Sequence, residues 1–346
     1  MEDEGFRLLL VNPAQVKALA GRKSDGRDCK RIAEYLQDGR LDGSFVPPKE
    51  IRELRQLVRH RISLLEERNE VHNQIRDLFE TASLKLSSVA TNLMGVSGRR
   101  IIEAMIAGED SAELLSWKVK GRLRAKEQEV REAMKGFFND FHRDMLASFY
   151  EHYKFLTSQI EKFEARIAER MKPHQERIEL LSGIPGVDKV VAWHLIAELG
   201  TDMSVFPSAG HCASWAGLVP GENESAGKKS MRCRKGNKVL RRILSQAAWG
   251  ASRKKRSYLR TFFYRIRARQ GASKAVMALA HKILVIAYQM LKTNTPYQEL
   301  GGDYFDRLNA EKVARQCIRK LESLGLKVQV ISQGGVESVS PGLSTH

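Results

Sequence analysis

Apolar positions spaced by three and four dominate the middle of the chain. Ile51, Leu54, Val58, Ile62 and Leu65 follow one another in this way. Phe138, Phe141, Met145, Phe149, Tyr153, Leu156, Ile160, Phe163 and Ile167 do so again, for about eight turns. This is the period with which an α-helix gathers one face. "LLEERNE" and "EKFEARIAER" place charge on the outer faces, and no proline interrupts the stretch between Pro48 and Pro173. The pattern predicts two long helices folded back on each other, an antiparallel hairpin or coiled coil. "MGVSGRR" and "IAGEDSAELL" form an irregular or short-helix tip. An ordinary helical-bundle core shows the same spacing, whereas a projecting coiled coil would also offer a surface for dimerisation.

Outside this region the texture changes. "GFRLLLVNP" reads as a short apolar strand over residues 6–11, stopped by Asn12 and Pro13. So apolar a strand is ordinarily buried on both faces between neighbours, and a lone one is marginal. Only "MEDEG" precedes it, which suggests a sequence that enters partway through a domain. Beyond Pro173 the helices shorten and glycine is commoner. Beyond Pro296 "AEKVARQCIRKLESLGLKVQV" suits one helix and a strand, and "SQGGVESVSPGLSTH" suits a disordered tail. The expected fold is mainly α with a residual α/β piece over 1–48. A coiled-coil helical domain follows over 49–172, a helical C-terminal domain over 173–300 and a tail over 301–346.

Charge sharpens the picture. The 346 residues are 42% hydrophobic and 29% charged, a globular balance, with a net charge of +17. Between Ser225 and Gln298 there are 19 Lys and Arg and no Asp or Glu, so the rest of the chain is nearly neutral. An acid-free basic block on a neutral body is the footprint of a polyanionic partner, although a solvated basic face is the plainer alternative. No leader-like pattern opens the sequence and no long apolar run occurs, so a cytoplasmic protein without membrane insertion is expected. The cysteines, Cys29, Cys212, Cys233 and Cys317, make no CxxC pair. A zinc site from His211, Cys212 and Cys233 lacks ligand spacing, and reduced structural thiols are expected.

Three segments carry candidate chemistry. "LLSGIPGVDKVVAWHLIAELG", residues 180–200, joins two apolar helices through a turn with two glycines. It reads as a helix-hairpin-helix in which Gly183, Gly186 and Lys189 face a phosphate, or as a plain αα-corner. "GENESAGKKS" is not a phosphate loop, because Glu222 stands where the first glycine belongs and Lys229 where a Ser or Thr belongs. It does place Ser225 before Lys228, Lys229, Arg232, Arg234 and Lys235. A hydroxyl among such cations could attack a phosphodiester, although serines in glycine-rich loops are commonplace. Lys238, Arg241 and Arg242 on the next helix, with Arg253, Lys254 and Lys255 beyond it, suit contacts to a nucleic-acid backbone.

"GRKSDGRDCKRIAEYL", residues 21–36, adds a pair of acids. Ser24 or Asp25 suits a helix N-cap and Asp28 the helix dipole. At i and i+3, Asp25 and Asp28 also share a helix face on which a divalent metal could bind with further partners.

Taken in order, "LLLVNP…GRKSDGRD…IAEYL", the long helices, "LLSGIPGV…AELG", "FPSAGHCASWAGLVP…SAGKKS…KGNKVLRR" and "AHKILVIAYQML" closely resemble the insertion-sequence-one-ten family of DEDD transposases. The resemblance runs from Phe6 to about Asp306. It implies a RuvC-like (RNase H-type) nuclease domain, a coiled coil and a C-terminal transposase domain. It further implies a DNA recombinase guided by a structured bridge RNA and acting as a homo-oligomer, dimer or tetramer, through the coiled coil. Its composite site would bind Mg2+ through an Asp-Glu-Asp-Asp set, of which Asp25 and Asp28 match the last two acids. Ser225 matches the catalytic serine. The first Asp and the Glu of that set should precede Phe6, so the resemblance implies a chain truncated at the front of its nuclease domain. The alternative it leaves is a remnant that binds nucleic acid and partner copies without cleaving.

Overall fold

The computed structural model describes residues 9–11, 25–41, 43, 45–220, 224–225, 228–229, 236–308, 310–326, 328, 331–332 and 335–336. It is mostly helical and divides into two compact units, residues 1–175 with 196–200 and residues 176–195 with 201–346.

In the first unit α1 (Asp25–Gln37) precedes the long α2 (Lys49–Thr81). Four short helices follow: α3 (Leu86–Val89), α4 (Val96–Ile106), α5 (Ala112–Ser116) and α6 (Glu127–Ala133). The long α7 (Asp140–Met171) completes the series. The two long helices pack antiparallel, since rising positions on α2 meet falling positions on α7. Glu53 bonds Arg170 at 2.6 Å, the His60 ring stands edge-on to Phe163 at 4.6 Å, and Arg68 lies over Tyr153 at 5.7 Å. Ile51, Leu54, Val58, Ile62, Val71 and Ile75 are the buried row of α2, at the spacing the sequence shows.

On α7 Leu156, Ile160 and Ile167 are buried as the spacing predicts, and Met145, Phe149, Tyr153 and Phe163, with Phe138 just before the helix, pack partly buried against the core. Leu146, Tyr150 and Met171 are buried as well, whereas Phe141 is 66% exposed. Phe141 stands at the helix start. Asn139 accepts the His142 N–H at 3.1 Å in a capping box, which leaves Phe141 in the first turn against the His142 ring. Tyr150 donates to Glu103 at 2.6 Å, and burial first, then that carboxylate, pushes the phenol well above its usual pKa.

The short helices form a tip whose core, Ile101, Ile102, Met105, Leu115, Val130 and Met134, is continuous with that of the long pair. The neck of the tip is tied: Phe137 N–H donates to Ala82 O and Lys85 N–H to Ala133 O, both at 2.8 Å. Gly136 permits the closure, because a Cβ there would lie 2.4 Å from Ala82 O.

The apolar strand expected over residues 6–11 is not what the described residues form. Val11 makes a single antiparallel bridge to Gly43, and Leu9 and Leu10 are 43% and 58% exposed. Residues 6–8 lie outside the described residues. One bridge supplies no neighbours to cover an apolar face, and among the described residues of 1–48 the regular elements are α1 and that bridge.

The second unit is built around α13 (Ala272–Thr293), whose Ala275, Leu279, Ile283, Leu284, Ala287 and Tyr288 are buried. Against it pack α10 (Ala209–Ala216), α11 (Lys238–Ala251) and α12 (Tyr258–Gln270). Helix α13 is long and apolar enough to cross a membrane, yet 56% of that window is buried inside the unit, as befits its core helix. Tyr288 secures it by donating to Phe206 O at 2.9 Å, and His281 lies 3.2 Å from Leu218 O. Helix α8 (Gln175–Ser182) leads into α9 (Lys189–Leu199). Two-residue strands β1 (Glu224–Ser225) and β2 (Lys228–Lys229) pair antiparallel. Helices α14 (Tyr304–Leu308) and α15 (Ala310–Ser323) and a second hairpin, β3 (Ile331–Ser332) with β4 (Gly335–Val336), follow. Residues 337–346, within the expected tail, lie outside the described residues.

Candidate nucleic-acid interface

The glycine turn between α8 and α9 is fixed from both sides. Ile184 N–H donates to Leu181 O at 3.1 Å and Val187 N–H to Ile184 O at 3.0 Å. Asp188 accepts the Val191 N–H at 2.8 Å and so caps α9 with a carboxylate. Gly186 has φ +85°, and a Cβ there would lie 2.2 Å from Ala247 O and 2.5 Å from Ala251 N. Its first service is therefore to let the turn sit on the last turns of α11. Lys189 reaches over the Trp193 ring at 5.3 Å, one turn along its own helix. The fold thus brings Gly186 against the helix that carries the basic residues, while Gly183 faces Leu180 O and the Tyr297 side chain.

Helix α11 starts where Asn237 accepts the Leu240 N–H at 3.0 Å. Leu240, Ile243, Leu244, Ala247, Ala248 and Ala251 face the core, which turns Lys238 and Arg242 outward and leaves Arg241 half-buried. At its end the backbone turns through Arg253, Lys254, Lys255 and Arg256, all exposed. None of these four has a carboxylate within ion-pairing distance among the described residues. Ser257 holds the turn by donating to Lys254 O at 3.1 Å, then caps α12 by accepting the Arg260 N–H at 3.2 Å. Cations at a helix C-terminus are stabilised by its dipole, so the turn is also electrostatically consistent with α11. Arg256, inside the basic-aromatic run from Arg253 to Arg269 that the sequence marks for backbone contacts, adopts φ 57° and completes the row of four. Tyr264, which helical spacing groups with the core aromatics, is instead 43% exposed with Arg260 and Arg267 over its ring at 5.1 and 5.6 Å. By contrast Tyr258 and Phe263 are core residues.

Ser225 lies in β1 directly opposite Lys228, and Glu224 opposite Lys229. The hairpin register thus pairs the backbone of residue 225 with that of residue 228. Arg232, Arg234, Lys235 and Cys233 lie outside the described residues. Cys212 is fully buried, and burial pushes its thiol up to about 12, which fits a structural rather than a ligating group.

Asp25 and Asp28 fall in the first turn of α1, three residues apart, in the first unit. Their carboxylates are hard oxygen donors of the kind a divalent cation takes. They are only two, and among the described residues no group of three or more His, Cys, Asp or Glu is placed to hold a metal ion. The donor chemistry fits part of a site.

The second unit carries both an exposed basic row at the end of α11 and a serine on the β1–β2 hairpin, and comparison with known proteins bears on what they serve. A profile described as the transposase IS116/IS110/IS902 family matches residues 178–264, and a DEDD-type IS110 transposase profile matches residues 1–83. Two separate stretches of the chain are thus similar to IS110-family transposases. The pilin gene-inverting protein of Moraxella bovis is 33% identical over 127 residues, 36% of this chain and 39% of that protein. The putative transposase y4pF/y4sB of Sinorhizobium fredii is 25% identical over 313 residues, covering 86% of this chain and 70% of that protein. The transposase for insertion element IS1111A of Coxiella burnetii is 23% identical over 306 residues, covering 85% and 74%. The alignment with the Moraxella bovis protein thus spans well under half of that relative. DEDD transposase domains imply divalent-metal use in general.

Proposed function

We propose that this chain is a DNA recombinase of an insertion sequence that cleaves and exchanges strands through Ser225. The observation that carries the reading is the position of Ser225 opposite Lys228, ahead of an acid-free basic block, within a chain matched by transposase profiles over residues 1–83 and 178–264. In this reading the Ser225 oxygen bonds to the phosphorus of a DNA phosphodiester as the bond to a sugar oxygen breaks. The displaced sugar oxygen leaves as a hydroxyl, and attack by a hydroxyl of another strand on the phosphoserine releases the serine again. Neighbouring cations stabilise the charge that builds on the phosphoryl oxygens. Asp25 and Asp28 would contribute ligands for Mg2+, which when bound adds further stabilisation of that charge. A structured guide RNA and a homo-oligomer assembled through the antiparallel pair of α2 and α7, acting as a coiled coil, complete the proposal. So do a RuvC-like character for the segment around α1 and a helix-hairpin-helix role for the turn at residues 183–187.

The test is cleavage of end-labelled insertion-sequence DNA by the purified chain with Mg2+ and its transcript. A covalent protein–DNA adduct that disappears in Ser225→Ala, and cleavage that falls at least a hundredfold in Asp28→Ala at unchanged melting temperature, is the expected result. Salt-sensitive binding with no adduct under any condition would instead identify a chain that binds without cleaving.

A further inference from the structure

The tip of the first unit holds a basic concavity that neither the profile matches nor the C-terminal block accounts for. A cavity of about 550 Å³ opens there, lined by Asn92, Gly95, Ser97, Lys120, Arg122 and Lys126 among others, with no carboxylate in its wall. Around it runs "KVKGRLRAK", residues 118–126, five cations without an acid. Lys126 is already paired with Glu129 at 3.0 Å. Lys118, Lys120, Arg122 and Arg124 are exposed and make no ion pair among the described residues. Trp117, directly before them, is 60% exposed.

The arrangement is held in place. Ser97 accepts the Lys120 N–H at 2.8 Å and donates back to Lys120 O at 3.2 Å, which pins the basic segment to the first turn of α4. That helix begins at Gly95 with no side-chain cap, so its opening N–H groups add to the positive potential of the wall. Gly98 lets the preceding loop lie across this turn, since a Cβ would come within 1.9 Å of Leu93 O.

We propose that this tip is a second nucleic-acid contact, in which a backbone phosphate sits in the cavity between Lys120 and Arg122. Lys118 and Arg124 meet the adjoining phosphates, and Trp117 offers a face for a base. The four unpaired cations are what select a polyanion over an isolated ion. With the reading above, the proposal shares only the premise of a nucleic-acid partner. It involves none of the second unit's residues.

The experiment compares the full chain with a Lys118→Glu, Lys120→Glu, Arg122→Glu, Arg124→Glu variant, and with the corresponding set of Gln substitutions, which is milder on folding. Binding to a DNA duplex and to an RNA hairpin is measured across a salt series. The expected result is at least a tenfold loss with at least one probe, and a log–log salt slope shallower by about three to four. Loss with RNA alone assigns the tip to RNA, loss with the duplex alone to DNA, and either supports the proposal. Unchanged affinity and slope with both probes overturns it. So does inorganic phosphate raising the melting temperature of the natural chain but not of the Gln variant while both nucleic acids bind equally well. Reversal of Arg253, Lys254 and Lys255 in parallel reports on the second unit alone, so failure there and failure at the tip are read separately.

Discussion

Arg59 grips the fully buried carboxylate of Glu198 with both prongs of its guanidinium, Nε to Oε1 at 2.7 Å and Nη2 to Oε2 at 2.9 Å. Arg55 completes the cluster within the first unit. Its Nη2 donates to Glu198 O at 2.7 Å and its Nε to Ala197 O at 3.1 Å. Burial lowers the Arg55 pKa and the Glu198 charge partly restores it. Removing one member of a buried pair strands the other, so Glu198→Ala should cost about 3 kcal/mol and Arg59→Ala, with Arg55 still present, about 2 kcal/mol. Urea unfolding of both singles and the double variant checks this. A coupling energy near zero would reduce the pair to a surface contact.

Stability should fall on mild acidification. Burial, followed by the charge of Arg76, holds the His72 imidazole below its ordinary pKa, and burial does the same for His174 against the opposing pull of Glu50. The unfolded chain takes up these protons at about pH 6.5 while the folded chain still resists them. The contribution of both residues is therefore present above that pH and lost as pH falls through the folded value. His72→Gln should flatten the decline between neutral and mildly acidic pH in melts followed by circular dichroism. An unaltered profile would exclude His72 as its source.

Gly186→Ala should be among the most damaging changes in the second unit. The new methyl would meet backbone of α11 on two sides, and the φ of +85° is strained for any L side chain. A loss of more than about 2 kcal/mol is expected, because the obstacle is main chain that cannot rotate away. Gly200→Ala, also at positive φ but in open space, is the control and should cost less.

Charge reversal at Arg253, Lys254 and Lys255 should weaken binding to every DNA sequence alike and flatten its salt dependence. The log–log slope should fall by about one for each phosphate no longer neutralised. A change in sequence preference with the slope intact would mean base reading in place of backbone binding.

The long helices were legible because their apolar spacing is the fold's own instruction, and α2 buries the row from Ile51 to Ile62 as written. The α7 row was legible from Met145 to Ile167, with Leu146 and Tyr150 burying more deeply than their neighbours Met145 and Phe149. Phe141 departs from it, in the first turn beside the Asn139–His142 capping box, a local device that spacing alone does not reveal. Gly186 was visible as a turn glycine, while its real neighbour, the backbone of α11, lies about sixty residues away in sequence. The apolar run before Asn12 misled because a strand needs partners, and composition is silent about whether they are present. The cations of the tip went unread since Lys118 to Lys126 are diluted by the acids of the surrounding helices. Only folding places them around one cavity.

The tied neck at Ala82 and Phe137 makes the tip a cassette. Its two ends meet at main-chain hydrogen-bond distance, so the excursion between them begins and ends at nearly the same point of the long pair. Segments with adjacent ends are those that can be trimmed, exchanged or inserted with little disturbance to their host. Relatives with tips of other lengths could therefore keep the same α2–α7 pair. A chimera carrying a foreign tip would transfer whatever that tip binds, independently of the rest of the chain.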